Sequence, residues 1–166
     1  MPPFSQKKNY VEAKVMLSKA IQLQPNHADS LHNLGSVLIE CGEPENAIEL
    51  LNKVIQININ HADAYYNLGL LFEKFNEFDK AANSYQKAIT LKPDYAEAYN
   101  NLGNTLKDLA KNIDAEISFK KAITLRPNFT EAYNNLGNIQ KELGKLNEAE
   151  TNYQKAIELN PNFAEA

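Results

Sequence analysis

Residues Ala96–Phe129 read AEAYNNLGNTLKDLAKNIDAEISFKKAITLRPNF, and Thr130–Phe163 follow with TEAYNNLGNIQKELGKLNEAETNYQKAIELNPNF, the same 34-residue phrase slightly reworded. Counting back by 34 from Ala96 reaches Ala62 and then Ala28, and each opens a further copy. A period of this length marks a repeat architecture before any single residue does. Within the copy a large residue holds the fourth place (Leu31, Tyr65, Tyr99, Tyr133), leucine the seventh (Leu34, Leu68, Leu102, Leu136) and glycine the eighth (Gly35, Gly69, Gly103, Gly137). The twentieth place is Ala47, Ala81, Ala115 and Ala149, the twenty-fourth Leu51, Tyr85, Phe119 and Tyr153, and the twenty-seventh Val54, Ala88, Ala122 and Ala156. Pro93, Pro127 and Pro161 close three of the copies.

Each copy holds two apolar-periodic segments, such as Ala96–Leu109 and Ile113–Arg126, with the i, i+3, i+4 spacing of amphipathic helices. Gly103 on the first and Ala115 on the second leave room for close backbone approach, and Tyr99, Leu102 and Phe119 fill the space around them. The closing proline cannot continue the second helix and so parts it from the next copy. One such hairpin cannot bury both its faces, so successive hairpins must stack.

The pattern resembles that of the tetratricopeptide repeat family over nearly the whole chain. The resemblance implies an all-α fold, an α-solenoid of antiparallel helix pairs that winds into a right-handed superhelix. It divides the chain into a leader and half repeat, residues 1–27, four copies at 28–61, 62–95, 96–129 and 130–163, and the opening of another at 164–166. In the half repeat Tyr10, Ala13, Leu17, Ala20 and Pro25 fall on second-helix places, which predicts a helix over about Val11–Leu23, either a cap on the solenoid with Phe4 folded over its exposed side or, equally, the mark of a truncated gene.

Departures from the pattern locate weak points. Pro44 begins a second helix, a position that a first-turn proline tolerates. Ile59 replaces the closing proline, so the junction near Asn60 is expected to be the softest. Asn76 stands at one inter-helix turn, and Ala110 replaces the turn glycine of the copy from Ala96 with Asn112 following, where altered turn geometry is expected. The second helix of the last copy keeps Tyr153, Ala156, Ile157 and Leu159 with no polar replacement of the face a neighbour would cover. Terminal repeats need a solvated outer face. The expectation is a fragment of a longer array, or end-to-end self-association.

Composition narrows the function classes. With 43% apolar residues a packed core is affordable, and a formal charge of -4 with scattered Lys and Glu offers no basic footprint for nucleic acid. No apolar run spans a membrane, and Met1–Lys8 lacks the core of a secretion signal, so a cytoplasmic protein is the default. Cys41 is the only cysteine, which rules out an internal disulfide, and its apolar place predicts a small buried thiol.

In the tetratricopeptide family the first helices line the inner, concave wall where extended peptides bind. On that wall the resemblance places Asn33, Asn67, Asn101 and Asn135, all at the sixth place, with Asn100 and Asn134 at the fifth and Asn104 and Asn138 at the ninth. A row of amides can pair with the backbone of an extended chain without reading its side chains, or can simply bond across neighbouring helices. A second row, Asp29, Asp63, Glu97, Glu131 and Glu165, sits at the second place, where an acid meets the positive end of the helix dipole. Its functional alternative is an acidic edge that prefers Lys, Arg or hydroxyl side chains.

AEAYNNLGNTLKDL is similar to the repeat region of the O-linked N-acetylglucosamine transferases, whose sixth-place asparagines hold substrate backbone; Asn33, Asn67, Asn101 and Asn135 match that motif, as do the second-place acids. Similar repeats occur in bacterial proteins attached to glycosyltransferase or sulfotransferase domains. The chaperone-binding members instead clamp a terminal carboxylate with Lys and Arg, where this chain carries Asp29, Asp63, His32, Tyr66, Asn100 and Asn134, so that role is not expected.

No constellation for catalysis, a metal or a cofactor stands out. His27 and His61 lie at equivalent copy ends, separated by about 10 Å of interhelix spacing, too far to share an ion. His32 has no partner at ligand spacing along the chain, and Lys107, Lys111, Lys120 and Lys121 read as a solvated face. The reading that follows is a non-catalytic scaffold that binds a protein or peptide in extended conformation along an Asn-lined groove. The alternative is the substrate-recruiting portion of a larger glycosyltransferase-like enzyme.

Overall fold

The computed structural model describes residues 4–162, with side chains described from Asn9 onward. Nine helices follow one another in this span: α1 (Phe4–Leu23), α2 (Ala28–Cys41), α3 (Pro44–Ile57), α4 (Ala62–Lys74), α5 (Phe78–Leu91), α6 (Ala96–Asp108), α7 (Asn112–Leu125), α8 (Thr130–Glu142) and α9 (Leu146–Leu159). Each packs on its neighbours in sequence, and the first helices α2 and α4, and α6 and α8, also touch. This is an all-α solenoid. α1 begins earlier than the repeat pattern predicts and takes in part of the expected leader. The reading of Phe4 as a cover, and of Ala164–Ala166 with Glu165 as a new copy, falls outside the described side chains.

The recurring places explain the stacking. Ala47, Ala81 and Ala115 are fully buried, and so are Leu51, Tyr85 and Phe119 one turn on. The eighth-place glycine is where the two helices of a pair close on each other. A methyl group on Gly103 would stand 2.5 Å from the Phe119 ring and one on Gly137 2.6 Å from Tyr153, whereas on Gly35 it would meet the flexible Leu51 at 3.2 Å.

All four turns within the copies use one geometry. Gly42, Asn76, Ala110 and Gly144 take left-handed φ of 77°, 58°, 58° and 75°. The next residue then donates back into the first helix: Glu43 to the Leu38 carbonyl, Glu77 to Phe72, Lys111 to Leu106 and Lys145 to Gln140, at 2.8–2.9 Å. The expectation of an altered turn at Ala110 is therefore corrected. Tertiary packing of α6 on α7 forces the common geometry, and the alanine Cβ is left in a conformation that disfavours it.

Pro44 is the first residue of α3 and is buried. At the proline-free junction α3 ends at Ile57, and the Asn58 side chain accepts the Asn60 N–H at 3.1 Å, the same asparagine turn that Asn160 and Asn162 make at 3.2 Å around Pro161. Cys41, expected to be buried, is exposed. It is the last residue of α2, and the left-handed Gly42 turns the chain away before anything covers the thiol.

Candidate functional site

The sixth-place asparagines lie on α2, α4, α6 and α8, and three of them reach across to the preceding copy. Asn67 donates through Nδ2 to His32 Nε2 at 3.1 Å and to Ser36 Oγ at 3.0 Å. Asn101 donates to the Tyr66 hydroxyl at 3.2 Å, and Asn135 to Asn100 Oδ1 at 3.1 Å. In each case the acceptor is the fifth-place residue 35 positions earlier. Asn33 is exposed, while Asn67, Asn101 and Asn135 are half-buried.

The fifth-place asparagines do not share that position. Asn100 is 1% exposed; besides accepting from Asn135 it donates to Glu131 Oε1 at 3.1 Å, so its groups are largely committed within the protein. Asn134 is 5% exposed, and its Oδ1 has no partner among the described residues. Asn138 is exposed and accepts from the Tyr153 hydroxyl at 2.9 Å; Asn104 is half-buried.

The second-place acids have partners that the sequence reading missed. Lys92 and Arg126 both stand at the thirty-first place of their copies. Lys92 Nζ lies 3.7 Å from Asp63 Oδ1, and Arg126 pairs with Glu97. Burial pushes the Glu97 carboxyl upward, but the Arg126 hydrogen bond and charge outweigh it and bring the group below the usual carboxylate range. Lys92 and Arg126 also lie over the Tyr95 and Phe129 rings, with 4.1 and 4.7 Å to the centroids. The acidic row is thus neutralised at Asp63 and Glu97 from within their own copies. The 34-residue spacing of Lys92 and Arg126 was the available signal.

Ring pairs form a further recurrence. His32 and His61 have centroids 4.6 Å apart, and Tyr66 and Tyr95, at the same two places of the next copy, 4.8 Å. His61 Nδ1 accepts the Ala64 N–H at 3.1 Å as cap of α4, which leaves the proton on Nε2, 3.7 Å from Asp29 Oδ1. His27 caps α2 in the same way through the Ser30 N–H at 3.3 Å. Sequence spacing separates His27 from His61; the fold instead sets His61 against His32. Among the described residues no three His, Cys, Asp or Glu side chains converge on a metal position, and no helix is long and apolar enough to cross a membrane.

Two polar nodes tie helices together. Glu73 on α4 accepts from the Tyr85 hydroxyl at 2.8 Å and from buried Thr105 on α6. Burial and the Glu73 charge push the Tyr85 phenol up. Glu116 on α7 is 5% exposed, with Lys120 and Lys145 each at 2.7 Å and Gln140 at 3.4 Å. Burial raises its carboxyl, but these three donors prevail and bring it down to about 2.

Comparison with known proteins agrees with the repeat. Tetratricopeptide repeat models match residues 16–49, 96–129 and 130–163, and a TPR repeat model matches 35–74 and 76–109. A search of curated protein sequences gives no match. Among solved structures, MamA is 30% identical with a TM-score of 0.86, covering 98% of this chain and 95% of its own. Pseudomonas aeruginosa pilF is 23% identical, TM-score 0.86, covering 95% of this chain and 72% of its own. YrrB, described as a TPR protein with an unusual peptide-binding site, is 21% identical, TM-score 0.80, covering 97% and 83%. The last two likenesses concern the fold alone. The repeat models span nearly all of the described residues, and the chain belongs to the tetratricopeptide repeat family.

Proposed function

We propose that this chain is a non-catalytic scaffold that holds an extended protein segment against the wall formed by α2, α4, α6 and α8, with Asn33, Asn67, Asn101 and Asn135 as its backbone-binding row. The observation that carries this reading is the ladder of amides one repeat apart. The Nδ2 groups of Asn67, Asn101 and Asn135 are spent on the first helix of the preceding copy, while the side-chain carbonyls of Asn67 and Asn135 accept nothing among the described residues. An extended peptide supplies N–H donors along its length that such carbonyls can accept. Tyr66, Tyr95, His32 and His61 give the first two copies an aromatic lining, and exposed Glu131 keeps acidic character at the other end. The test is capture of an arrayed peptide library by the wild type and by N67A/N101A/N135A. Loss of these contacts is expected to weaken capture by about tenfold or more, the equivalent of one net hydrogen bond. Equal capture by a folded triple variant rejects the reading.

A second reading, the recruiting arm of a larger glycosyltransferase-like enzyme, is favoured by the likeness of Ala96–Leu109 to the transferase repeats. The coding sequence on either side of residues 1–166 tests it: a transferase domain in frame supports it, and its lack counts against it. Self-association through α9 is supported by the exposure of Leu146 and Ile157, the latter 45% exposed where its counterpart Ile89 is 6%. A sedimentation mass that stays monomeric at all concentrations rejects that.

A further inference from the structure

A side-chain amide has two unlike edges, a carbonyl that accepts and an NH2 that donates. Which edge a sixth-place asparagine turns outward depends on what the preceding copy offers to the other. We propose that the fifth-place residue of each copy sets which edge of the next copy's sixth-place asparagine points away from the helix row, and that at Asn67 the setting reverses when His32 is protonated.

The three acceptors differ in kind. Asn100 presents Oδ1 to Asn135, and its own NH2 is engaged with Glu131, so Asn135 is held with its carbonyl outward. Tyr66 presents a hydroxyl, which can accept from the Asn101 NH2 as it does here or donate to its carbonyl. His32 is the titratable case. Its Nε2 accepts from Asn67, so the neutral ring carries its proton on Nδ1. Protonation converts Nε2 into a donor, and the Asn67 NH2 can no longer face it. Turning the amide by half a revolution restores the bond, with Oδ1 toward His32 and NH2 outward. Ser36 does not resist this change. Its hydroxyl now accepts from Asn67 and donates to the His32 carbonyl at 3.2 Å, and it can donate to Asn67 Oδ1 instead.

The charged surroundings of His32 come from each neighbouring segment. His61, in the turn before α4, stacks on the ring; Asp63 on α4 and Asp29 on α2 are the acids that act on it. Burial and the neighbouring His61 hold the His32 ring below the usual histidine range, against the pull of Asp63, the Asn33 side chain and Asp29. The reversal therefore lies below the usual histidine range. The wall opposite copy two then changes from an acceptor to a donor, whereas the Asn135 position keeps its polarity.

Amide and imidazole resonances of the 15N,13C-labelled chain, followed from neutral pH downward through the His32 titration, test this directly. The Asn67 side-chain amide is expected to shift with the same midpoint as the His32 ring. In H32Q, which keeps an acceptor without a titration, the Asn67 shift should vanish. In N67A the His32 midpoint should fall, because the charged ring loses a charge-assisted bond to the turned carbonyl that is stronger than the bond the neutral ring loses. An Asn67 amide that stays flat through the His32 titration overturns the proposal, as does an unmoved His32 midpoint in N67A. The link to ligand binding rests on the scaffold reading. It is tested with an end-capped, uncharged Ser/Ala/Val peptide, whose binding should change through the same midpoint in the wild type and not in H32Q. Coupled resonances with no peptide bound at any pH would reject the scaffold reading and leave the amide reversal standing.

Discussion

Asn135 donates its side-chain amide to Oδ1 of Asn100 at 3.1 Å, whereas the equivalent carbonyl of Asn134, one copy further on, is buried and receives no donor among the described residues. Two asparagines at the same place of the repeat therefore stand in opposite energetic positions. N100A removes the acceptor for Asn135 and a donor to Glu131, and is expected to destabilise the fold by about 2 kcal/mol. N134A removes a carbonyl that is already orphaned and should change stability by less than about 0.5 kcal/mol, or raise it. Urea unfolding of both variants is the check, and equal losses would contradict the assignment.

Glu116 makes stability depend on acid. Its folded-state pKa lies near 2, below the ordinary 4.5, so the folded chain binds this proton less readily than the unfolded chain does. Its contribution is complete above pH 4.5 and disappears as the pH falls toward 2, up to about 3 kcal/mol in all. The stability difference between wild type and E116Q should narrow over that window. A difference that stays constant from neutral pH to pH 2 would show that the Lys120 and Lys145 pairs contribute nothing.

Ala110 offers a stabilising substitution. It holds φ 58° in a turn where Gly42 and Gly144 do the same without a Cβ. A110G should raise stability by about 1 kcal/mol, because relief of the left-handed strain exceeds the extra freedom given to the unfolded chain. A lower melting temperature in A110G would mean that the alanine is not strained.

The eighth-place glycines should rank by what they face. G103A drives a methyl group into the Phe119 ring and is expected to cost about 2–3 kcal/mol, whereas G35A meets only the flexible Leu51 and should cost about 1 kcal/mol or less. Thermal unfolding of the two single variants compares them, and a reversed order would remove the ring contact as the reason for glycine.

The repeat was legible because a period of 34 fixes the places of Gly103, Ala115 and Phe119 together, and packing then leaves few alternatives. What the period hid lies one residue off it. The Asn67–His32, Asn101–Tyr66 and Asn135–Asn100 bonds span 35 positions, so comparing equal places shows the row and not its partners. The Lys92 and Arg126 partners of the second-place acids lie within a single copy, twenty-nine positions on, and could have been found by charge spacing alone. Ala110 was misread because local preference favours a different turn there, and the packing of α6 on α7 overrides it. Cys41 was misread because helical periodicity continues past the point where the left-handed Gly42 ends the helix.

The 35-position bond also bears on how such a gene can lengthen. A bond made from the fifth place of one unit to the sixth place of the next is supplied in full by any two units laid end to end. Tandem duplication of one 34-residue stretch therefore creates its own seam, because the new unit brings a donor for its predecessor and an acceptor for its successor. No compensating change elsewhere is required. What each duplication transmits, along with the helices, is the choice of acceptor, whether imidazole, phenol or amide, and with it the chemical character of one more step along the wall.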